Sequence, residues 1–156
     1  MAFATARSLA LKGADGHVID VQVDVSPGVV GTTLVGRVDK SLSEARDRVR
    51  MAINNDCPRW PATKRVTILL SPADLPKTGT HYDVAIAVAV LAADKKHEEL
   101  TPDLLDGWAF VGELSVSGGL RPIVARRLDG LTAHDMKTAH ELLESRRMIG
   151  KIVIVA

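Results

Sequence analysis

Residues 82–93 constrain the fold most strongly, because they are predicted to form a helix that is apolar on nearly every side. The sequence YDVAIAVAVLAA carries a charge at Asp83 and then ten apolar residues in succession. A helix of this kind must be enclosed by other elements and cannot lie on a surface. The run is also about half of the roughly 20 residues that a membrane-spanning helix needs. The rest of the chain must therefore cover this helix.

Alternating apolar and polar residues predict strands whose apolar faces can pack against this helix. In HVIDVQVDV, residues 17–25, every second side chain is apolar, as in a strand with one buried face. We expect this strand to pair with residues 4–12 across a turn at 13–16. Further strands are predicted at 32–38 and 66–70. A sheet that packs against the apolar helix follows from this pattern.

Helices and a hairpin complete the predicted domain. A helix is expected at residues 41–55, with Ser41 as its N-cap and Glu44 three residues later as the capping-box partner. The remaining predicted elements are a short helix at 100–106, a hairpin with strands at 108–116 and 120–123 around Ser117-Gly118-Gly119, a last helix from Thr132 and a strand at 151–156. The predicted fold class is α+β, with a mixed, mostly antiparallel sheet and helices packed on it, and residues 1–156 are predicted to form a single domain.

Composition and charge narrow the function classes. An apolar share of 46% with 25% charged residues is typical of a globular protein that buries a core. The net charge of +1 gives the whole chain no long-range attraction to nucleic acid or to a membrane. The single cysteine, Cys57, excludes an internal disulfide and suits a reducing compartment. We therefore expect a cytoplasmic protein without a membrane partner.

Motifs for nucleotide, cofactor and metal binding are missing from the sequence. A phosphate-binding P-loop needs G-x-x-x-x-G-K-[ST], but Gly150-Lys151 is followed by Ile152 and lacks the upstream glycine. No G-x-G-x-x-G set follows a predicted strand. The five histidines are scattered, without the spacing of metal ligands. The sequence thus predicts no cofactor, no metal site and no complete catalytic set.

The loop at residues 73–82 is the most specific local feature, since it brings a lysine and a glycine to the start of the buried helix. Such a loop can present backbone amides and a cation to an anion, a carboxylate or a reacting carbonyl. It can equally be a turn that caps the helix, with Asp83 complementing the helix dipole. The candidate binding residues in this loop are Lys77, Thr78, Gly79 and Thr80.

A local excess of positive charge lies at residues 37–65, where eight basic residues stand against four acidic ones. Arg37, Arg46 and Arg50 are the candidate contacts to phosphate or to an acidic partner. Interleaved arginine and aspartate are also typical of a solvated helix face with pairs four residues apart. Aromatic stacking groups are nearly absent from this segment, so any DNA contact is expected to be weak.

Three separated blocks carry a resemblance to a known family: VGRVDKSLSEARDRVRMAINN, RVTILLSPADLPKTGTHYDVAIAVAVLAA and FVGELSVSGGLRPI. In this order, over roughly residues 2–123, the chain resembles the N-terminal domain of ComM-type, magnesium-chelatase-like AAA+ proteins. The resemblance implies a fold like the Lon-protease proteolytic domain, in the ribosomal-protein-S5-domain-2-like class. It also implies an ATPase ring as partner, one implicated in DNA branch migration during uptake and recombination.

The same resemblance allows a peptidase function to be examined at two positions. Lon-type peptidases have a P-K-D-G-P-S-A-G loop with a nucleophilic serine, and a lysine downstream of a G-x-x-L-P-I hairpin. In this sequence His81 stands at the serine position and Arg127 at the lysine position. An arginine stays charged and cannot accept the nucleophile's proton, so such chemistry is not expected. Thr80 is a neighbouring hydroxyl, one position away and without an evident base in the sequence.

The tail at residues 124–156 departs from the family pattern. HELLESRRMIGKIVIV resembles instead the last helix and strand of medium-chain dehydrogenases or quinone oxidoreductases, over a short stretch. Two interpretations stay open: the tail completes the sheet, or it marks a truncated or fused reading frame.

Three hypotheses for function follow from the sequence. The leading one is a non-enzymatic domain that docks on an AAA+ ring, either its own or another chain's, and positions protein or DNA at that ring. Association with a second copy of the chain is an alternative form of partner. Any ATPase activity would lie in a domain absent from this chain. The second is a residual Lon-like hydrolase that uses Thr80 or a nearby serine. The third is a cryptic fragment with no activity beyond folding.

Overall fold

The computed structural model describes residues 2–12, 15–56, 60–94, 100–121, 127–129 and 153–155. Contacts divide the chain into two units, Met1–Arg121 and Pro122–Ala156. The elements of the first unit are β1 (Ala2–Lys12), β2 (Asp15–Ser26), β3 (Gly31–Val35), α1 (Lys40–Ser43), α2 (Ala45–Asp56), β4 (Arg65–Ser71), α3 (Asp83–Ala93), a 3₁₀ helix (Pro102–Leu105), β5 (Glu113–Leu114) and β6 (Leu120–Arg121).

Four strands form one sheet in the order β1-β2-β4-β3. The pairs β1–β2 and β2–β4 are antiparallel, and β3–β4 is parallel. The α+β class and the mixed sheet predicted from the sequence are therefore confirmed. The alternation in β2 fixes the orientation of the sheet, because Ile19, Val21, Val23 and Val25 are all buried on one face.

The apolar helix α3 lies in the core, as its composition requires. Eight of its residues are buried, among them Ile86 and Val90, and the helix contacts β1, β2 and α2. The face of β1 that is buried consists of small side chains, Ala4, Ala6, Ser8 and Ala10. Small residues on a strand let a helix backbone approach closely, which explains how a helix without a polar face is accommodated.

The helix predicted at residues 41–55 is in fact two helices, and its predicted cap is wrong. Asp39 is the N-cap of α1: its carboxylate accepts a hydrogen bond from Leu42 N at 2.8 Å and from the Ser41 hydroxyl at 3.1 Å. Glu44 then separates α1 from α2. The capping box failed because Asp39 is the stronger acceptor and lies two residues earlier in the chain.

Several strand and helix ends also differ from the prediction. The third strand ends at Val35, because Gly36 follows with φ of 133° and its backbone lies against β4, where an added Cβ would be 3.1 Å from Leu70 O. The predicted hairpin exists but its strands, β5 and β6, are two residues each. The short helix at 100–106 is a 3₁₀ turn, Pro102–Leu105.

The second unit contains two described strands, β7 (Arg127–Asp129) and β8 (Val153–Val155), which pair in parallel. The strand predicted at 151–156 includes β8. The predicted helix from Thr132, the motif Gly150-Lys151 and the residues Cys57, His97, His134 and His140 lie outside the described residues. The prediction that residues 1–156 form one domain stays a prediction. Across the described ranges, no helix has the length and apolar character required to span a membrane.

Candidate functional site

The loop between β4 and α3 is joined by its backbone to the segment that precedes α1. The amide of Lys77 donates to Arg37 O at 2.9 Å, and the amide of Asp39 donates to Lys77 O at 3.2 Å. Val38 and Lys77 form an isolated parallel bridge. These contacts join two of the sequence blocks that carry the family resemblance. The contacting residues are thirty-eight or more positions apart in the chain. The loop is tied to the sheet and does not project as a free arm.

Lys77 does not present its charge to solvent. Its side chain is fully buried, and the ammonium donates a hydrogen bond to Pro72 O within the same loop. Burial lowers the pKa of Lys77, since removal from water disfavours the charged form. Of the neighbouring candidates, Thr78 is exposed. Lys77, which the sequence suggested as an anion-binding cation, therefore donates its hydrogen bond to a carbonyl of the loop.

Asp39 fastens this loop to the start of α1. One carboxylate oxygen caps α1, and the other accepts from Gly79 N at 3.3 Å. Gly79 has φ of 97°, a left-handed conformation that favours glycine. Gly79 is therefore a turn residue whose amide already has an acceptor, which leaves that amide unavailable to a bound anion.

His81, which the sequence resemblance places at the Lon-type nucleophile position, lies at the edge of the sheet. It is buried, its Nε2 lies 2.8 Å from Leu9 O on β1, and its carbonyl accepts from Gly112 N at 2.8 Å. Nε2 must carry the proton to donate to a carbonyl, so this nitrogen has no lone pair for attack. The ring also packs on Tyr82 with centroids 3.9 Å apart. His81 therefore has contacts of a structural kind.

Thr80 has a partner that the sequence did not reveal. Its hydroxyl donates to Glu113 Oε2 on β5 at 2.5 Å, and the other carboxylate oxygen of Glu113 lies 3.5 Å from the guanidinium of Arg121 on β6. The carboxylate is thirty-three positions away in the chain, so no local spacing could have identified it. The sequence shows no evident base for Thr80, whereas the structure places the carboxylate of Glu113 within hydrogen-bond distance of its hydroxyl.

Asp83 and Arg48 form an ion pair beneath this loop. The guanidinium of Arg48 donates to both carboxylate oxygens of Asp83 at 3.0 Å, and Leu114 N donates to the same carboxylate at 3.2 Å. The hydrogen bond to Asp83 raises the pKa of Arg48, while burial raises the pKa of Asp83 against the opposing effect of Arg48. Because Asp83 is fully buried, its charge depends on Arg48 and on the hydrogen bond from Leu114 N.

Burial also affects Tyr82, the residue before α3. Its side chain is fully buried, and removal from water raises the pKa of its phenol to about 12, with Asp39 adding to the effect. Three consecutive buried polar residues therefore stand at the start of the core helix: His81, Tyr82 and Asp83. Their burial shows that the end of the loop belongs to the core.

The candidate contacts on the basic segment are exposed. Arg37 lies just before α1, and Arg46 and Arg50 lie one turn apart on α2. Arg46 pairs with Asp47 at 3.3 Å on the surface. The structure therefore leaves Arg37, Arg46 and Arg50 accessible, and it withdraws Arg48 into the pair with Asp83. Arg46 and Arg50 are hereafter called the α2 basic pair.

Two further site expectations concern metals and Arg127. Within the described part of the chain, no group of three or more histidine, cysteine, aspartate or glutamate side chains is placed to hold a metal ion. The backbone of Arg127 begins β7, but its side chain lies outside what the structure describes. Its place at the Lon-type lysine position stays a prediction.

Comparison with protein families identifies the class of the chain. The family model for subunit ChlI of Mg-chelatase matches residues 21–143. The chain belongs to this family. The match extends past Ile123, where the resemblance drawn from the sequence motifs ends, and it includes the loop, α3 and the β5–β6 hairpin.

Individual relatives are similar over the same length. The chain is 45% identical over 123 residues to protein YifB of Escherichia coli K12, covering 79% of this chain and 24% of that protein. It is 41% identical over 123 residues to competence protein ComM of Haemophilus influenzae, covering 79% of this chain and 23% of that protein. The chain is 43% identical over 123 residues to an uncharacterized protein of Mycobacterium tuberculosis, covering 79% of this chain and 24% of that protein. The chain spans about a quarter of the length of the curated relatives it matches.

Proposed function

We propose that this chain is a non-catalytic domain that positions protein or DNA for an AAA+ ATPase ring, in a process of DNA uptake and recombination. Membership of the Mg-chelatase subunit family supports the association with such a ring. The name of the Haemophilus relative, a competence protein, supports the link to DNA uptake. The order of elements, three strands, two helices, a strand and a helix, supports the finer fold class, ribosomal protein S5 domain 2-like.

The contacts of His81 are the observation that carries the non-catalytic part of the proposal. A Lon-type mechanism needs a hydroxyl at this position, next to a group that takes its proton. Here Nε2 lies 2.8 Å from Leu9 O, and Lys77 in the same loop is buried and bonded to Pro72 O. Both side chains are buried and make contacts within the protein, which supports a structural role for them.

The α2 basic pair is the proposed contact with DNA. Arg46 and Arg50 project from the same exposed face of α2, one turn apart, where each can meet a phosphate. These arginines are only two, and among the residues that the structure describes no cluster of exposed aromatic side chains lies beside them. Binding is therefore weak and falls steeply with salt: two phosphate contacts give a loss of about tenfold between about 50 and 200 mM salt.

Fluorescence anisotropy with a labelled DNA duplex tests this proposal. The variant Arg46→Ala/Arg50→Ala is expected to bind more weakly and to lower the slope of log affinity against log salt by about two. The matched control, Lys12→Ala/Arg121→Ala, removes the same charge from exposed positions on β1 and β6 and keeps the native slope. Equal slopes in both variants would refute the α2 basic pair as the contact. No binding by the native chain would favour a fragment without activity.

A second candidate function, a hydrolase, is favoured by the contact of Thr80 with Glu113. The hydroxyl lies 2.5 Å from Glu113 Oε2, so this carboxylate can take the proton as the oxygen attacks a peptide carbonyl. The carboxylic acid then returns the proton to the leaving amine. Water hydrolyses the resulting ester and restores Thr80.

Peptide cleavage separates the two candidates. If the hydrolase operates, Thr80→Ser retains cleavage of a fluorogenic casein and Thr80→Val abolishes it, because valine keeps the shape of the side chain without the hydroxyl. If the chain is non-catalytic, as we propose, all three proteins give the background signal. Cleavage that persists in Thr80→Val would exclude this residue as the nucleophile.

A further inference from the structure

In the part of the chain that the structure describes, the four-stranded sheet has one covered edge and one open edge. On β1, Arg7 O accepts from Phe110 N at 2.7 Å, and Leu9 O lies 2.8 Å from the ring of His81. At the other edge, β3 pairs with β4 alone among the residues that the structure describes. The outward backbone groups of an edge strand can pair with a strand of another chain.

The β3 edge lacks the features that usually prevent such pairing. Residues 26–36 contain no charged side chain, and Gly31–Val35 contains no proline. Natural edge strands are usually protected by lysine, proline or a bulge. Immediately before β3, Val29 and Val30 are 88% and 61% exposed. The segment is a neutral, accessible strand with exposed apolar residues at its start.

A groove runs beside the same strand. It has a volume of about 480 Å³, with Thr32 and Leu34 of β3 on one side and α1 and the first turn of α2 on the other. An edge strand next to a groove that is closed by a helix is the arrangement in which extended segments add to a sheet. Residues of β3 line this groove, so the edge and the groove form one continuous surface.

The charges on the helical side of the groove indicate which partner fits. They are two cations, Lys40 and Arg46, and two anions, Glu44 and Asp47, so the wall is neutral overall. A strongly acidic or basic segment would meet like charges there. A second copy of the chain brings a neutral strand and the same mixed wall, so that each cation can face an anion across a two-fold axis.

We propose that two copies of this chain associate through antiparallel pairing of their β3 strands, about a two-fold axis at Thr33. Thr33 is the middle residue of β3, so it faces Thr33 of the partner subunit, and Thr32 faces Leu34 of the partner subunit. The paired segment is only about 17 Å long, at roughly 3.3 Å per residue. Because so short a paired segment forms the contact, the dimer is expected to be weak and reversible.

Sedimentation equilibrium of the full chain, from low micromolar to millimolar concentration, tests the proposal. The native chain is expected to show a monomer–dimer equilibrium. Thr33→Lys and Thr33→Glu each place like charges opposite one another at the axis, and each raises the dissociation constant by about tenfold or more. Thr33 is exposed in the monomer, so both variants are expected to fold.

An equal mixture of the two variants provides the decisive comparison. Lysine on one copy then faces glutamate on the other, and a heterodimer is expected to form at concentrations where each variant alone is a monomer. Thr5→Lys, on β1 away from β3, is the control and keeps the native equilibrium. A native chain that is monomeric throughout, or a mixture that stays monomeric, would overturn the proposal. Equal weakening by Thr5→Lys would also overturn it.

Discussion

At the level of single residues, the pair Arg48–Asp83 explains more of the local structure than any residue chosen from the sequence. It joins α2 to the start of α3, and through Leu114 N it holds β5. Arg48 also donates to Ser41 O in α1 at 3.1 Å. The sequence predicted a dipole role for Asp83, and its place as first residue of α3 agrees with that. Its partner could not be predicted, because the two are thirty-five positions apart.

Arg48→Met is expected to destabilise the protein by about 3–5 kcal/mol, because it leaves the carboxylate of Asp83 buried and unpaired. Chemical denaturation with urea measures this loss. Arg46→Met is the matched control on the same helix, where the exposed pair with Asp47 at 3.3 Å contributes at most about 1 kcal/mol.

The double variant Arg48→Met/Asp83→Asn sharpens this test. Since Asp83→Asn removes the stranded charge, the double variant is expected to lose less stability than the sum of the two single variants. Strict additivity, or a loss for Arg48→Met no larger than for Arg46→Met, would contradict the importance of this ion pair.

Tyr82 is the single tyrosine of the chain, and its titration reports on the burial of the loop end. The unfolded chain loses the phenol proton near the ordinary pKa of 10.0, whereas burial raises the pKa to about 12 in the folded protein. Between these values the unfolded state binds fewer protons than the folded state, so the free energy of unfolding falls as pH rises.

The loss of stability over that pH window is expected to reach about 2–3 kcal/mol. Ultraviolet absorbance of tyrosinate follows the folded protein, with the urea-unfolded chain as reference. Titration of the folded protein at the same pH as the unfolded reference would show that the phenol is accessible and would contradict the burial of this residue.

At the level of elements, the turn between β5 and β6 packs on the last turn of α2. Asn55 Nδ2 donates to Val116 O at 2.6 Å. Gly118 has φ of 92°, and an added Cβ would lie 2.4 Å from the Cβ of Asp56 and 3.1 Å from Ala52 O. The sequence predicted the turn from Ser117-Gly118-Gly119, but not that it touches α2, because that contact depends on the tertiary fold.

Gly118→Ala is therefore expected to destabilise the protein more than Gly107→Ala. Both glycines have positive φ, which alone costs an alanine about 1–2 kcal/mol. At Gly107 an added Cβ meets nothing within 4 Å, whereas at Gly118 the collision with α2 adds about 1–3 kcal/mol. Thermal denaturation of the two variants measures the difference, and equal losses would show that the hairpin does not pack on α2.

Elements could be predicted from the sequence where they depend on a local hydrophobic pattern, and not where they depend on contacts between residues distant in the chain. The strands β1, β2 and β4 and the helix α3 follow from local alternation or from an apolar run, and all are present. The division of the predicted helix into α1 and α2 was missed, because Asp39 competes for the cap and also holds Gly79 of a distant loop. Errors of this kind arise where one side chain serves two elements.

At the level of the whole molecule, the candidate site is distributed over segments that are far apart in sequence. The loop residues could be chosen from the sequence because lysine, glycine and threonine precede an apolar helix. The roles of these residues could not be predicted, because each role depends on a contact made in the folded protein. The contacts are with other parts of the chain or, for one residue, within the loop; the residues are Lys77, Gly79, Thr80 and His81. We propose that the buried residues Lys77, His81 and Tyr82 anchor this loop in the core and that the loop is not a reactive site.

Hydrogen exchange of backbone amides tests that claim most directly. The amides of Lys77 and Gly112 donate to Arg37 O at 2.9 Å and to His81 O at 2.8 Å, and they hold the two ends of the loop. If the loop belongs to the core, both amides exchange as slowly as those in the middle of α3, through global unfolding. If both amides exchange as fast as the amide of Val29, a residue that is 88% exposed, the loop opens independently and the proposal is contradicted.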